Sequence, residues 1–387
     1  MRIYLDHNAT TPVDPAAADA MMRALGETFG NPSSVHYFGQ RAKAVLDDAR
    51  MATATLIGGE PSEVVFTSGG TEADNFAIRG VAEALDGGGR RHLITDGIEH
   101  EAVLNTFKAL ARRGWRTTML PVDATGVVLP DRLREAIGDD TALVSIMHAN
   151  NEIGTLQPIA ELAEIAHARG ALFHTDAVQS VGKIPVNVRA LGVDLLSLSA
   201  HKFYGPKGAG AMWIRRGVRL VPIQTGGRHE RNRRAGTENV PGLVGMGAAA
   251  ARALEKLSVE GPRLAALRDR LEASILAAVS YTAVNGAGAP RVSNTTNISF
   301  ERVEAESLLI ALDLEGVAVS TGSACSSGTL EPSHVLRAMG LPASRTQSSI
   351  RFSLGAGNTQ EEIDHVAAIL PKLVAKLRSL SAVGARG

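Results

Sequence analysis

Residues 195–208 read LLSLSAHKFYGPKG, an apolar run that passes directly into a polar, glycine-rich segment. The run 195–198 has the length and composition of a buried strand. Lys202 follows shortly afterwards, at a point where its amine can be desolvated. Desolvation lowers the pKa of a lysine and suits it to Schiff-base chemistry. Most lysines are simply solvated, but the small and polar neighbours of Lys202 favour a functional role.

Outward from this segment, short apolar runs alternate with longer helical patterns through the first two-thirds of the chain. The other predicted strands are 64–66, 92–94, 142–147, 171–174 and 209–214. The predicted helices between them include 71–85, 102–113 and 159–169. Short strands followed by helices of ten to twenty residues are typical of a mostly parallel sheet covered by helices. We therefore predict an α/β fold.

The last 110 residues or so have a different pattern, which predicts a smaller α+β unit. A long helical stretch, 247–276, links it to the first unit, and a strand at 297–300 and helices at 304–312 and 359–380 follow. We predict a large domain at 13–257. The small domain is predicted to comprise 1–12 and 258–387, with a functional loop at about 318–332.

Four polar clusters follow predicted strands, and ligands of parallel α/β sheets lie beyond the carboxyl ends of the strands. The clusters are 67–72, 147–154, 175–179 and 199–208. The glycines of 67–72 would let backbone N–H groups at a helix start approach an anion. Asp176, at a buried strand end, needs a cationic or hydrogen-bonding partner, which a protonated heterocycle would supply. Each of three clusters, taken alone, also has an ordinary structural explanation. Residues 67–72 would form a glycine turn, Asp176 would cap a helix, and 147–154 would contain an Asn-Asn turn.

Composition removes several classes of function. The chain has 387 residues, 44% of them hydrophobic, which is typical of a folded globular protein. Its 40 Lys and Arg balance 40 Asp and Glu, so no net charge favours nucleic acid or a membrane surface. A single cysteine permits neither an intramolecular disulfide nor a thiolate metal cluster. No metal site is predicted, because His100-Glu101 lacks the second histidine of a His-Glu-x-x-His pattern.

In this order and spacing, several segments resemble the NifS/IscS-type cysteine desulfurases, pyridoxal-phosphate (PLP) enzymes of aminotransferase class V. The resemblance runs from residue 3 to about 370. The matching segments are 4–12, 66–75, 99–100, 150–154, 174–179, 199–208, 234–239 and 321–334. It implies the type I aspartate-aminotransferase fold, PLP as cofactor, L-cysteine as substrate and a homodimer. Ala235 and Glu238 depart from residues common in relatives.

The resemblance also implies a role for each matching residue. Lys202 would bind PLP covalently and move the Cα proton, Asp176 would pair with the ring nitrogen, and Gln179 would bond the ring hydroxyl. His100 would stack on the ring and take part in proton transfer, and Asn151 and Arg351 would grip the substrate carboxylate. The phosphate and cofactor set is Gly70, Thr71, His100, Asn151, Asp176, Gln179, Ser199, His201, Lys202 and Thr237. Thr237 would act across the dimer interface.

Cys325 decides which reaction is expected. It lies in a charge-free stretch of small residues, 319–328, with a glycine three residues away on each side. A buried, inert thiol is the alternative, but little around Cys325 could pack against it. A thiolate is nucleophilic. The expected reaction is therefore transfer of sulfur from L-cysteine to Cys325, which leaves a persulfide and releases L-alanine.

Three other functions stay open at this stage. A class V aminotransferase or selenocysteine lyase of the same fold would not need the thiol, and a silent PLP-binding protein would make no alanine. A nucleic-acid module would require the basic run 228–234 to bind phosphates rather than form a solvated loop.

The expected acceptor of the sulfur is an iron–sulfur scaffold protein, and Cys325 would at most contact a partner's iron–sulfur cluster transiently. Residues 330–340 resemble the NifS branch, which is associated with nitrogen fixation. A housekeeping role is the alternative. Without an apolar leader or membrane span, a cytoplasmic location is expected.

Overall fold

The computed structural model describes residues 2–322 and 332–384, and within these ranges the chain forms a large mixed sheet and two smaller sheets, all associated with helices. The strands are β1 (Ile3–Tyr4), β2 (Val64–Thr67), β3 (His92–Asp96), β4 (Arg116–Leu120), β5 (Thr141–Ser145), β6 (Leu172–Asp176), β7 (Leu195–Ser199), β8 (Gly210–Ile214), β9 (Thr282–Val284), β10 (Thr295–Phe300), β11 (Val317–Ala318) and β12 (Ser349–Ser353). The helices are α1 (Pro15–Glu27), α2 (Tyr37–Leu56), α3 (Gly70–Leu85), α4 (Glu101–Arg112), α5 (Pro130–Ala136), α6 (Ile159–Ala168), α7 (Val188–Leu191), α8 (Val240–Ala278), α9 (Ala305–Leu314), α10 (His334–Ala338), α11 (Ala343–Thr346) and α12 (Gln360–Gly384).

The large sheet confirms the predicted α/β fold. Its strand order is β2-β8-β7-β6-β5-β3-β4, and every neighbouring pair is parallel except those that β8 makes with β2 and β7. The central strands β5 and β7 are buried throughout, as expected for a sheet covered on both faces. Because β2, β5, β6 and β7 point the same way, the four polar clusters meet at one edge of the sheet.

The remaining strands form a second layer near the C-terminal part of the chain. β12, β10 and β9 make an antiparallel sheet, while β1 pairs in parallel with β11. One apolar core gathers side chains from these strands, from α9 and α12, and from the N-terminal residues Ile3 and Leu5. The N-terminal segment is therefore packed with the end of the chain.

Helix α8 joins the two cores. Leu243 and Met246 pack with the large sheet, whereas Leu271 and Ile275 pack with the C-terminal sheet. The helix predicted from the sequence starts at residue 247, seven residues later than α8, and the segment that it left out contains Pro241, Gly242 and Gly245, whose helix propensity is low. Glycine allows close packing in this part of α8: a Cβ on Gly247 would lie 2.5 Å from the Cα of Ala49 in α2. The domain boundary at 257/258 stays a prediction.

No helix among residues 2–322 and 332–384 is long and apolar enough to cross a membrane. The strands β1, β4, β9, β11 and β12 were not predicted. They are short or carry few apolar residues, so periodicity alone did not indicate them.

Candidate active site

A cavity of about 340 Å³ opens at the carboxyl edge of the large sheet. It brings together ten of the site residues predicted from the sequence. These are Gly70, Thr71, His100, Asn151, Asp176, Gln179, Ser199, His201, Lys202 and Arg351. The fold thus collects residues from six separate stretches of the chain in one place.

Lys202 ends a short 3-10 turn that follows β7 directly. Its Nζ donates to the backbone carbonyls of Asn8 and Ala9, at 2.5 and 2.9 Å. Burial lowers the pKa of Lys202 to about 8; the charge of Arg351 adds to this effect and Asp176 opposes it. A substantial fraction of Lys202 is therefore a neutral, nucleophilic amine near pH 8.

Asp176 is the last residue of β6 and is 6% exposed. Its Oδ1 accepts the backbone N–H of Val178 at 2.8 Å, and among the described residues it forms no ion pair. Burial raises the pKa of Asp176, an effect that the charges of His100 and Lys202 oppose. A carboxylate in this position is stabilised by a cation or N–H donor in the cavity.

Further acids are buried around Asp176. Asp74, Asp96 and Glu99 each have one carboxyl oxygen without a hydrogen-bond partner among the described residues. Burial raises the pKa of Asp74 and Glu99 well above the ordinary value, and that of Asp96 to about 7. Asp74, which also lines the cavity, and Glu99 therefore hold their protons more strongly than ordinary carboxylic acids do.

The first turn of α3 offers a binding place for an anion. Its N-cap, Gly69, supplies no side-chain acceptor for the first backbone N–H groups of the helix. The strand β8 approaches closely here, because a Cβ on Gly210 would lie 2.6 Å from the Cα of Gly69. Ser199 and His201 line the same side of the cavity. Burial lowers the pKa of His201 to about 4, so its ring is a neutral hydrogen-bonding group.

Arg351 lies in β12 and is 4% exposed. Its Nη2 bonds Asp6 Oδ1 at 2.7 Å and its Nη1 bonds the backbone carbonyl of Asn151 at 2.9 Å. The Nε has no partner among the described residues. A guanidinium held in this way beside an open cavity is suited to a carboxylate ligand.

His100 and Gln179 are held by their own hydrogen bonds. His100 is the N-cap of α4, and its Nδ1 accepts the N–H of Ala102 at 3.1 Å. In the neutral ring the proton is therefore on Nε2. Gln179 donates from Nε2 to the carbonyl of Asn8 at 3.0 Å and accepts at Oε1 from Lys183 at 2.5 Å.

Two predicted residues are not in this group. Thr237 lies in a separate pocket with Ser68 and Arg234, and Arg234 binds Glu72 in the first turn of α3. Cys325 lies outside the described residues; Gly322, which precedes it in the chain, lines the cavity. Among residues 2–322 and 332–384, no three His, Cys, Asp or Glu side chains are grouped to hold a metal ion.

Sequence reasoning missed three residues that support the site: Asp6, Asn8 and Lys183. Asn8 is 1% exposed, and its side-chain amide contacts Asn151, Lys183, Asn294 and Thr295. The segment 4–12 was noted for its resemblance but given no role. Its polar residues after the strand-like run 3–5 were the available signal.

The residues present fit PLP. A buried carboxylate suits its ring nitrogen, the start of α3 with Ser199 and His201 suits its phosphate, and a lysine of low pKa suits its aldehyde. These groups surround one cavity, as a single ligand carrying all three functions requires.

Comparisons with known proteins agree with this geometry. Residues 3–366 match the family described as aminotransferase class-V. The chain is 51% identical over 379 residues to the cysteine desulfurase IscS of Dictyoglomus turgidum, covering 98% of this chain and 96% of that protein. It is 50% identical to the IscS of Methanosarcina thermophila, covering 98% and 93%.

Solved structures place the chain in the same group. It superimposes on a NifS-like protein with a TM-score of 0.91 at 39% identity, covering 97% of this chain and 100% of the other. The NifS-like protein of Rickettsia africae gives a TM-score of 0.88 at 32% identity, with the same coverage. This chain belongs to the aminotransferase class-V family, among the NifS/IscS-type cysteine desulfurases.

Proposed function

We propose that this chain is a PLP-dependent cysteine desulfurase, which takes sulfur from L-cysteine, releases L-alanine and carries the sulfur as a persulfide on Cys325. The observation that carries the proposal is the cavity in which Lys202, Asp176 and Arg351 meet. These residues respectively supply a nucleophilic amine, an anion for a ring nitrogen and a cation for a substrate carboxylate.

Each cavity residue has a distinct task in this proposal. Lys202 binds the cofactor, Asp176 pairs with its ring nitrogen and Gln179 donates to its ring oxygen. Arg351 and Asn151 hold the substrate carboxylate. The phosphate-binding residues are Gly70, Thr71, Ser199, His201 and, from the partner subunit of a dimer, Thr237.

Bound PLP supplies an electron-withdrawing ring that stabilises negative charge developing at the substrate Cα. The protein moves the protons. The Nζ of Lys202 accepts the Cα proton, since its lowered pKa leaves the neutral form well populated near pH 8. The Nε2–H of His100 is available as a donor, because Nδ1 is engaged by the backbone of α4.

The sulfur step needs no outside oxidant. The thiolate of Cys325 attacks the substrate sulfur, an S–S bond forms, and the C–S bond breaks with its electron pair going to the substrate β-carbon. Protonation of that carbon, together with return of a proton to Cα through Lys202, completes alanine. L-cysteine and the Cys325 thiol are thereby converted into alanine and a persulfide, with atoms and electrons balanced. The sulfur then passes to an acceptor protein in the cytoplasm for iron–sulfur cluster assembly.

A homodimer is part of the proposal. An exposed apolar patch surrounds the start of α2, with Phe29, Val35 and Tyr37 exposed by 69%, 92% and 66%. Patches of this kind mark interaction surfaces, and a second copy would explain why Thr237 lies outside the cavity of its own chain. Light scattering of the purified protein measures the oligomeric state.

The test is incubation of the PLP-loaded protein with L-cysteine, with alanine and the mass of Cys325 as readouts. Wild type should form alanine and gain the mass of one sulfur atom on Cys325. The variant Cys325→Ser should form no persulfide and release no sulfide, while still binding PLP. Alanine made without the added sulfur would refute the persulfide mechanism, and no alanine at all would refute the activity.

A further inference from the structure

Lys183 lies beside the active-site cavity without lining it. It follows Gln179 by four residues, after a turn at Gly182, whose φ is +78°. A Cβ on Gly182 would lie 2.6 Å from the Cβ of Phe203, so the turn packs directly against the residue after Lys202. Lys183 lines a second, smaller cavity of about 80 Å³ on the other side of Lys202.

The amino group of Lys183 bonds two side-chain amides. It donates to Asn8 Oδ1 at 2.7 Å and to Gln179 Oε1 at 2.5 Å. Among the described residues it makes no ion pair with a carboxylate. Burial lowers the pKa of Lys183 well below its ordinary value, and the neighbouring charges of Lys202 and Arg351 add to the effect. A buried amine here, in place of an apolar side chain, has a cost that calls for a function.

These contacts fix which end of each amide faces which way. A glutamine side chain has an acceptor oxygen at one end and two N–H donors at the other. Because Lys183 donates, the oxygen of Gln179 faces Lys183 and its nitrogen faces away. One N–H of that nitrogen goes to the carbonyl of Asn8, which leaves the other for a ligand in the cavity that Gln179 lines.

We infer that Lys183 is a positioning residue that holds Gln179 with its N–H towards the cavity, and so selects a ligand with an acceptor oxygen at that place. The inference rests on the proposed function, in which that oxygen belongs to the ring of PLP. Without Lys183 the amide could turn its oxygen towards the ligand oxygen, where two acceptors would repel each other.

The experiment measures the affinity of the apoprotein for two ligands, PLP and its 3-deoxy analogue, which lacks the ring oxygen. Fluorescence titration is carried out on wild type, Lys183→Met and Lys256→Met. Lys256 is a matched control, since it lines the same small cavity but its Nζ lies 3.7 Å from Asp14 and bonds neither amide.

Lys183→Met should bind PLP about tenfold more weakly than wild type, the value of one hydrogen bond, and the analogue with unchanged affinity. Lys256→Met should match wild type for both ligands. Equal weakening for the two ligands would overturn the inference, because it would mean general damage to the cavity, and so would unchanged affinity for PLP.

Thermal melting of each apoprotein checks the fold. If Lys183→Met does not fold, Lys183→Gln carries the test, because its amide can donate or accept and does not impose an orientation on Gln179. The same loss for PLP alone is expected. The alanine assay separates the two proposals: wild type that binds PLP and makes no alanine would refute the desulfurase function and leave the role of Lys183 standing.

Discussion

Removing one partner of the buried ion pair between Arg50 and Glu230 should cost far more stability than removing one partner of an exposed pair of the same geometry. The two terminal guanidinium nitrogens of Arg50, Nη1 and Nη2, donate to the Glu230 carboxylate at 2.7 Å, and both side chains are almost fully buried. Glu230 Oε2 also accepts the backbone N–H of Phe66 in β2. Replacing Glu230 by Gln keeps the shape but leaves a buried cation without its counter-charge, which costs about 3 to 5 kcal/mol.

The exposed pair Arg270–Asp364 provides the control. It is also bidentate, at 2.5 and 2.9 Å, but both side chains are nearly half exposed. Asp364→Asn should therefore cost about 0 to 1 kcal/mol. Urea unfolding followed by tryptophan fluorescence measures both, and Trp115 and Trp213 report on the large-sheet region that Glu230 stabilises. Equal losses for the two variants, or a loss below about 1 kcal/mol for Glu230→Gln, would show that burial is not the deciding factor.

Three further outcomes are expected. Acylation of Lys202 in the apoprotein, followed by mass spectrometry across pH, should be half-maximal near pH 8; a midpoint near the ordinary lysine value of about 10.4 would contradict the desolvated amine. Gly247→Ala should destabilise the protein by about 1 to 3 kcal/mol, because the new Cβ meets the backbone of Ala49 at 2.5 Å. In the same helix, the nearest atom to a Cβ on Gly261 is 3.9 Å away, so Gly261→Ala should stabilise by about 0.5 to 1 kcal/mol. Changes of the same sign in urea unfolding would contradict this prediction. The pKa of Asp96 is raised from 3.8 to about 7, so the native state binds more protons than the unfolded state between these values and the free energy of unfolding falls as pH rises through that window. Asp96→Asn should reduce this slope in urea titrations at pH 5 and pH 8, and an unchanged slope would assign all of it to the other buried acids, Asp74, Glu99 and Asp176.

The large sheet was predictable because its strands are buried on both faces. Such strands are continuous apolar runs, and β7 and the helix after β2 were located to within a residue or two. The antiparallel direction of β8 was not predictable, since an apolar run of five residues carries no sign of direction. The early start of α8 was missed because glycine has a low helix propensity, whereas here close packing against α2 overrides it.

The site residues likewise differ in how far the sequence predicted them. Residues such as Asp176 and Lys202 follow apolar strands directly, so sequence order gave their placement at the sheet edge. Lys183 is different, because its role depends on Asn8, 175 residues away along the chain, as well as on the nearby Gln179. Asp6 likewise reaches Arg351 across 345 residues, a contact that no local pattern encodes.

The pairing of β1 with β11 has a consequence for synthesis on the ribosome. Ile3 pairs with Val317, and Asp6 lies beside Ser353. More than 300 residues must therefore be synthesised after Ile3 and Asp6 before their partners exist. At 5–20 residues per second, that wait is roughly 15 to 60 s. During this time Asn8 has no Thr295 or Ser353 to hold it, even if the large sheet has already formed. The nascent protein can therefore complete its α/β core well before it can complete its active site.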